Sequence, residues 1–295
     1  MPKITTPRII SLLLTLWLLP ATVVASEMSL QLPSGIKALA DYRKGSMDKP
    51  AVLVLHGFLQ TYHFSTVRLI VGELSDAGYT VLSPTLTLNI DQRRASLTCD
   101  AIQHHSAEQA TRELGAWVEW LKKNGYKRII LIGHSTGSNH LLSYLHANRD
   151  PAVSAFIATS IGPMENWQHP EESRRQRAEA EAAVAAGDRG LKPYSLGFCR
   201  NNYAAPARDF LSYLQWQRAQ VLRDLKSSPV PTTVVLGQAD KWLPPDWVDT
   251  IESEAIPLVR LNDANHYFSG IGEFDFQATI LSLVEAAAVS DRHAP

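Results

Sequence analysis

KRIILIGHSTGSNHLLSYL, residues 127–145, decides how the chain is read. Its first half is an apolar run rich in isoleucine, as expected of a strand buried on both faces. Its second half carries Leu141, Leu142 and Leu145 at helical spacing. Between the two, Gly133 and Gly137 flank Ser135. Glycines at those places let a serine sit on a sharp strand-to-helix turn, where bulk on either side would clash with the adjoining elements. A hydroxyl at that helix start also feels the positive end of the helix dipole. Ser135 is therefore a candidate nucleophile; the plainer reading is an ordinary loop that glycine and serine merely allow to bend.

Working outward, strand and helix signals alternate. AVLVLHGF (51–58) is a second apolar run, followed by Val67, Leu69, Ile70, Val71 and Leu74 as a helical face ending near Gly78. YTVLSP (79–84) reads as a strand stopped by Pro84. Ser106 with Gln109 three residues on forms a capping-box pattern, and Leu114, Trp117, Val118 and Leu121 repeat at helical spacing behind it. VSAFIATSI (153–161), PTTVVLG (231–237) and IPLVRL (256–261) read as further strands, with helices near 245–254 and 272–288. This rhythm predicts an α/β fold with a mainly parallel sheet and helices on both faces. Residues 163–226 break it. No strand is evident there, and ARDFLSYLQWQRAQVL reads as one amphipathic helix, so the segment is expected to be a helical insertion over the sheet.

A serine hydroxyl needs a base. His266, in LNDANHYFSG, follows the last strand signal and precedes the last helix, where a loop returns to the sheet edge. Asp240, in VVLGQADKWLP, directly follows a strand and could orient that imidazole; Asp246 and Asp249 lie further into a helix, and Asp263 is close enough to His266 to shape its loop. An oxyanion needs two N–H donors. Thr136, just after the serine, can supply one, and Phe58, in the HGF that ends an early strand, the other.

Through HGF (56–58), GHSTG (133–137), GQAD (237–240) and ANH (264–266) the chain resembles the α/β-hydrolase-fold serine hydrolases, over nearly everything after residue 36. The resemblance implies a mostly parallel eight-stranded sheet with a helical lid before the acid strand. It also implies carboxylic-ester cleavage by Ser135, His266 and Asp240 through an acyl-enzyme, with no cofactor or metal. Haloalkane dehalogenases and epoxide hydrolases of that superfamily carry Asp where this chain has Ser135. Trp167, Phe198 and Trp242 are candidate substrate contacts. Tyr194, Tyr203, Phe210, Tyr213 and Trp216 are expected mostly to hold the insertion down. An amidase or peptidase on the same three residues, or a non-catalytic binding protein, are the alternatives.

Composition bounds the rest. The 295 residues are 45% hydrophobic and 19% charged, with formal net charge −1. That balance, without a basic stripe, excludes nucleic acid as an expected partner. Lys3 and Arg8 precede an apolar run from Ile9 to Leu19, too short to span a bilayer, and Val23 and Ala25 fit a cleavage site after Ala25. Residues 1–26 are thus expected to be a signal peptide, leaving no stable membrane anchor and an exported, periplasmic or secreted protein over 27–295; an uncleaved anchor is the alternative. In an oxidising compartment the two cysteines, Cys99 and Cys199, are expected to pair. The expected partner is a small-molecule ester, and the oligomeric state is open.

Overall fold

A computed structural model describes residues 25–290, so the expected signal segment lies outside the described residues except for Ala25 and Ser26, which begin the first strand. The strands β1 (Ala25–Gln31), β2 (Lys37–Arg43), β3 (Ala51–Leu55), β4 (Thr80–Thr85), β5 (Ile129–His134) and β6 (Val153–Thr159) belong to one sheet. A short hairpin, β7 (Leu191–Leu196) and β8 (Cys199–Pro206), stands apart from it. The strands β9 (Thr232–Gly237) and β10 (Leu258–Leu261) complete the sheet, whose eight strands run in the order β1-β2-β4-β3-β5-β6-β9-β10. Pairing is antiparallel at β1/β2 and β2/β4 and parallel from β4 to β10.

The apolar runs are continuous because alternate residues feed two cores. Leu53, Leu55, Ile129 and Leu131 point to one face, where α2 (Ala107–Lys123) and α3 (Thr136–Asn148) pack with Leu114, Trp117, Leu141 and Leu145. Val52, Val54, Ile130 and Ile132 point to the other, against α1 (Ser65–Asp76) and α8 (Glu273–Ser290). A strand covered on both sides has no polar face to alternate, which is why periodicity 2 is absent from its sequence. The capping box at Ser106 forms as read: its hydroxyl accepts from Gln109 N–H, and the Gln109 side chain accepts from Ser106 N–H.

Three details depart from the sequence reading. β1 and β2 extend the sheet before residue 51, where no strand was expected. The insertion between β6 and β9 is not wholly helical: the β7/β8 hairpin lies between α4 (Pro170–Ala185) and α5 (Ala207–Tyr213). Its strands are half exposed and carry Pro193, Asn201 and Asn202, so they lack the apolar pattern of a core strand. The single amphipathic helix expected there is two, α5 and α6 (Arg218–Lys226). The break is fixed by Trp216, whose buried indole donates to Ser143 Oγ at 2.8 Å while its carbonyl accepts from Met164 N–H. The remaining helix, α7 (Trp247–Ser253), follows β9. Cys99 and Cys199 are joined, tying the start of β8 to the loop after β4. Among the described residues no helix is long and apolar enough to cross a membrane.

Candidate active site

Ser135 sits between β5 and α3 with φ 55° and ψ −126°, a backbone region that costs a non-glycine residue about 1–3 kcal/mol. Packing enforces it. A Cβ on Gly133 would collide with the Ser138 backbone, and one on Gly137 with the carbonyl oxygens of Leu55 and His56. Ser135 N–H is held by Thr159 O at 2.8 Å. The two glycines are therefore required by close backbone approach on each side of the turn.

His266 follows β10 and Asp240 follows β9, so parallel neighbours deliver both to the same edge. Ser160 Oγ donates to His266 O at 2.9 Å, which ties the His266 loop to the end of β6, and Ala239 N–H donates to Ala264 O, which pins the loops after β9 and β10 together. Gly237 permits this, since a Cβ there would strike Ala264 O. Asp263, expected to shape the loop, adopts φ 56°.

The structure brings the three side chains into one hydrogen-bonded chain. His266 Nε2 lies 2.9 Å from Ser135 Oγ, and His266 Nδ1 lies 2.7 Å from Asp240 Oδ2. Asp240 is almost fully enclosed, with a side chain 1% exposed, and its other oxygen accepts Trp242 N–H at 2.8 Å. A carboxylate can only accept, so Nδ1 carries the proton and the Nε2 lone pair faces the hydroxyl. Such an arrangement can draw a proton from the serine and stabilise the resulting imidazolium.

The neighbouring histidines do not compete for charge. His134 is buried 5.4 Å, centroid to centroid, from His266, and burial first and the His266 charge second hold its pKa well below the ordinary value. His56 is pushed down to about 3, chiefly by burial. It donates from Nδ1 to Gly57 O at 2.8 Å and accepts Leu86 N–H on Nε2 at 3.0 Å. It thus fastens the loop after β3 to the loop after β4.

Phe58 and Thr136 line the cleft that opens over Ser135, and neither main-chain N–H has an acceptor among the described residues. Trp167, Phe198 and Trp242 line the same cleft. They are linked to one another: Trp167 Nε1 donates to Trp242 O, and the Phe198 and Trp242 rings meet edge to face at 6.3 Å. Phe58 in turn packs edge-on against Phe198 at 5.6 Å. By contrast Tyr194, Tyr203, Phe210, Tyr213 and Trp216 are each at most 2% exposed and fill the core under the insertion. Sequence reasoning missed Gln60, Met164, Glu165, Arg200, Leu243 and Tyr267, which also line the cleft. Gln60 stood two residues beyond the HGF run; the others had no local signal.

No group of His, Cys, Asp and Glu among the described residues could hold a metal ion. No curated protein matches the sequence. Solved structures do match the fold. Est1E from Butyrivibrio proteoclasticus aligns with TM-score 0.62 at 16% identity, over 88% of this chain and 98% of that one. The Pyrococcus furiosus esterase Pf2001 aligns with TM-score 0.60 at 16% identity, over 90% and 92%. The α/β hydrolase GrgF from Penicillium sp. sh18 aligns with TM-score 0.67 at 18% identity, over 90% and 100%. The sequence model of the alpha/beta hydrolase family matches residues 52–272, from β3 past the His266 loop, and the chain belongs to that family.

Proposed function

We propose that the protein is a serine hydrolase that cleaves carboxylic esters through Ser135, His266 and Asp240. The observation that carries this reading is the chain of short contacts from Ser135 Oγ through His266 to Asp240. His266 Nε2 takes the hydroxyl proton as Ser135 attacks the acyl carbon, and Asp240 stabilises the imidazolium. The acyl oxygen becomes an oxyanion and accepts hydrogen bonds from the Phe58 and Thr136 amides. The carbon–oxygen bond to the alcohol then breaks, and His266 returns its proton to that alcohol. Water, deprotonated by the same nitrogen, attacks the acyl-serine; the bond to Ser135 Oγ breaks, the acid leaves, and His266 returns the proton to Ser135 Oγ.

The aromatic cleft wall of Phe58, Trp167, Phe198 and Trp242 favours an apolar or aromatic group on the ester. Est1E, one of the structural relatives, has been solved with ferulic acid, an aromatic acid, bound. One lining residue gives an amide substrate a foothold: Glu165 supplies a carboxylate in the cleft wall that could accept an amine. Comparing p-nitrophenyl esters with the matching p-nitroanilides separates the two readings.

Ser135→Ala is expected to lower p-nitrophenyl ester turnover by about 10⁴-fold or more with the fold intact. Turnover close to wild type in that variant refutes the assignment. A fluorophosphonate that labels Ser135 in the wild type separates enzyme from binding protein. Export is part of the same reading, supported by the Cys99 to Cys199 bond. Intact mass of protein recovered from outside the cytoplasm should correspond to a chain that has lost the expected signal segment and starts at residue 26 or 27.

A further inference from the structure

Gln60, in the loop between β3 and α1, is anchored through three of its four polar groups. Its N–H donates to Gly57 O at 3.2 Å, its carbonyl accepts from Arg93 Nη2 at 2.6 Å, and its side-chain Oε1 accepts Gly57 N–H at 3.1 Å. The last bond decides which way the carboxamide faces, because only its oxygen can meet an N–H. The remaining group, the Nε2 amide, has no acceptor among the described residues, and Gln60 lines the cleft with Ser135. A Cβ on Gly57 would come within 2.9 Å of Gln60 Oε1 and 3.3 Å of Ser135 Cβ. Carboxamide and nucleophile therefore flank the same glycine.

The support behind Gln60 is unusual. Arg93 is 4% exposed and makes no direct ion pair among the described residues; the buried Glu113 carboxyl acts on it only from further off, partly offsetting the lowering of its pKa by burial. A buried guanidinium without a counter-ion is costly unless its donors are filled. Here they are filled by main-chain carbonyls: Leu86 O at 2.7 Å, Ala95 O at 2.9 Å and Leu59 O at 3.4 Å, besides Gln60 O. Leu59, next to Gln60, is held at φ 59°, and its carbonyl also accepts Leu97 N–H. A fork of five fixed donors suits this task, since it ties the loop after β3 to the loop after β4 at several points. Its place directly behind the 57–60 turn sets that turn rigidly against the nucleophile.

We propose that Gln60 is a further catalytic residue: its Nε2 donates to the acyl oxygen as that oxygen becomes an oxyanion, beside the Phe58 and Thr136 amides, with Arg93 as the positioning residue. The inference rests on the serine-hydrolase reading above. A third donor of this kind acts most strongly when charge has developed on the oxygen, so its loss should appear in kcat.

Gln60→Glu is the sharpest test, because it keeps an acceptor for Gly57 N–H and removes the donor. The variant should lose about 10²-fold in kcat on a p-nitrophenyl ester with KM nearly unchanged. As pH falls the introduced carboxyl gains a proton and can donate again, so its deficit relative to wild type at the same pH should narrow. Gln60→Leu should show a similar deficit that does not narrow. Arg93→Lys, which keeps a charge but loses the fork, should lower kcat with KM unmoved. If Gln60→Glu and Gln60→Leu both turn over within about twofold of wild type, while Ser135 still takes a fluorophosphonate label, the inference fails alone. A rise in KM with kcat intact also overturns it, leaving Gln60 as a ground-state contact. If the Gln60 variants do not fold, Arg93→Lys with wild-type kcat counts against it. A wild-type enzyme that neither labels nor hydrolyses removes the serine-hydrolase reading itself, and this inference with it.

Discussion

At the scale of single residues, the site depends on which atom carries a proton. Asp240 accepts from Nδ1 and so leaves Nε2 of His266 as the acceptor that faces Ser135. Asp240→Asn would present an NH2 donor to Nδ1 and invert that tautomer. Turnover is expected to fall by about 10³–10⁴-fold with the fold preserved, measured as kcat beside the melting temperature. The glycines are a different case, because their role is steric. Gly137→Ala places a methyl group against two main-chain carbonyls that have no room to retreat. It is expected to destabilise the protein by about 3 kcal/mol in urea unfolding and to displace Ser135.

Among elements, the β7/β8 hairpin is the part that joins stability to substrate binding. Its turn bears Phe198 and is followed by Cys199 and Arg200, so the bond to Cys99 fixes a wall of the cleft as well as closing a long loop. In the chain-entropy view, closing a separation of 100 residues stabilises by up to about 4.7 kcal/mol. The Cys99→Ser, Cys199→Ser double variant is expected to unfold at lower urea concentration. Its KM should rise more for bulky aromatic esters than for acetate, since the loosened wall touches only the larger group. Equal KM changes for both would show that the tether does not shape the cleft. The hairpin was not legible in the sequence because its exposed strands carry no apolar pattern. α2 was, because its cap and its apolar stripe agree.

For the whole molecule, buried titratable groups set the response to acid. His56, His105 and His140 are each pushed down to about 3, and His134 well below its ordinary value, all chiefly by burial. Each is neutral in the folded protein and takes a proton in the unfolded chain below about pH 6.5, so each withdraws stability as pH falls through that value. Glu113 works in the opposite sense. Burial raises its carboxyl from 4.5 to about 7, so its contribution is present at low pH and is lost as pH rises through about 7. The four histidines outweigh the one carboxyl between those limits, and unfolding free energy is expected to fall steeply below about pH 6. Glu113→Gln should leave that fall in place while making the protein relatively more stable at pH 8 than at pH 5, which urea titration at the two pH values measures.

How much the residues alone foretold follows from the range of each interaction. The 127–145 stretch was readable because strand, turn and helix are all written locally: apolar run, paired glycines, periodic leucines. The order Ser135, Asp240, His266 named the candidates, since each follows a strand signal directly. β1 and β2, the break before α6 and the identity of most cleft residues were not readable. They depend on pairing across the chain, on a tryptophan reaching Ser143, and on loops that converge only when parallel strands end at one edge. The sequence by itself determined the alternation of strand and helix and the residue types at the site, because burial on two faces and tight backbone approach restrict them position by position. Only the tertiary structure decided that Gln60 faces the same cleft as Ser135 and that Arg93 stands behind its turn, because hydrogen bonds between separate loops leave no periodic trace in the residues that make them.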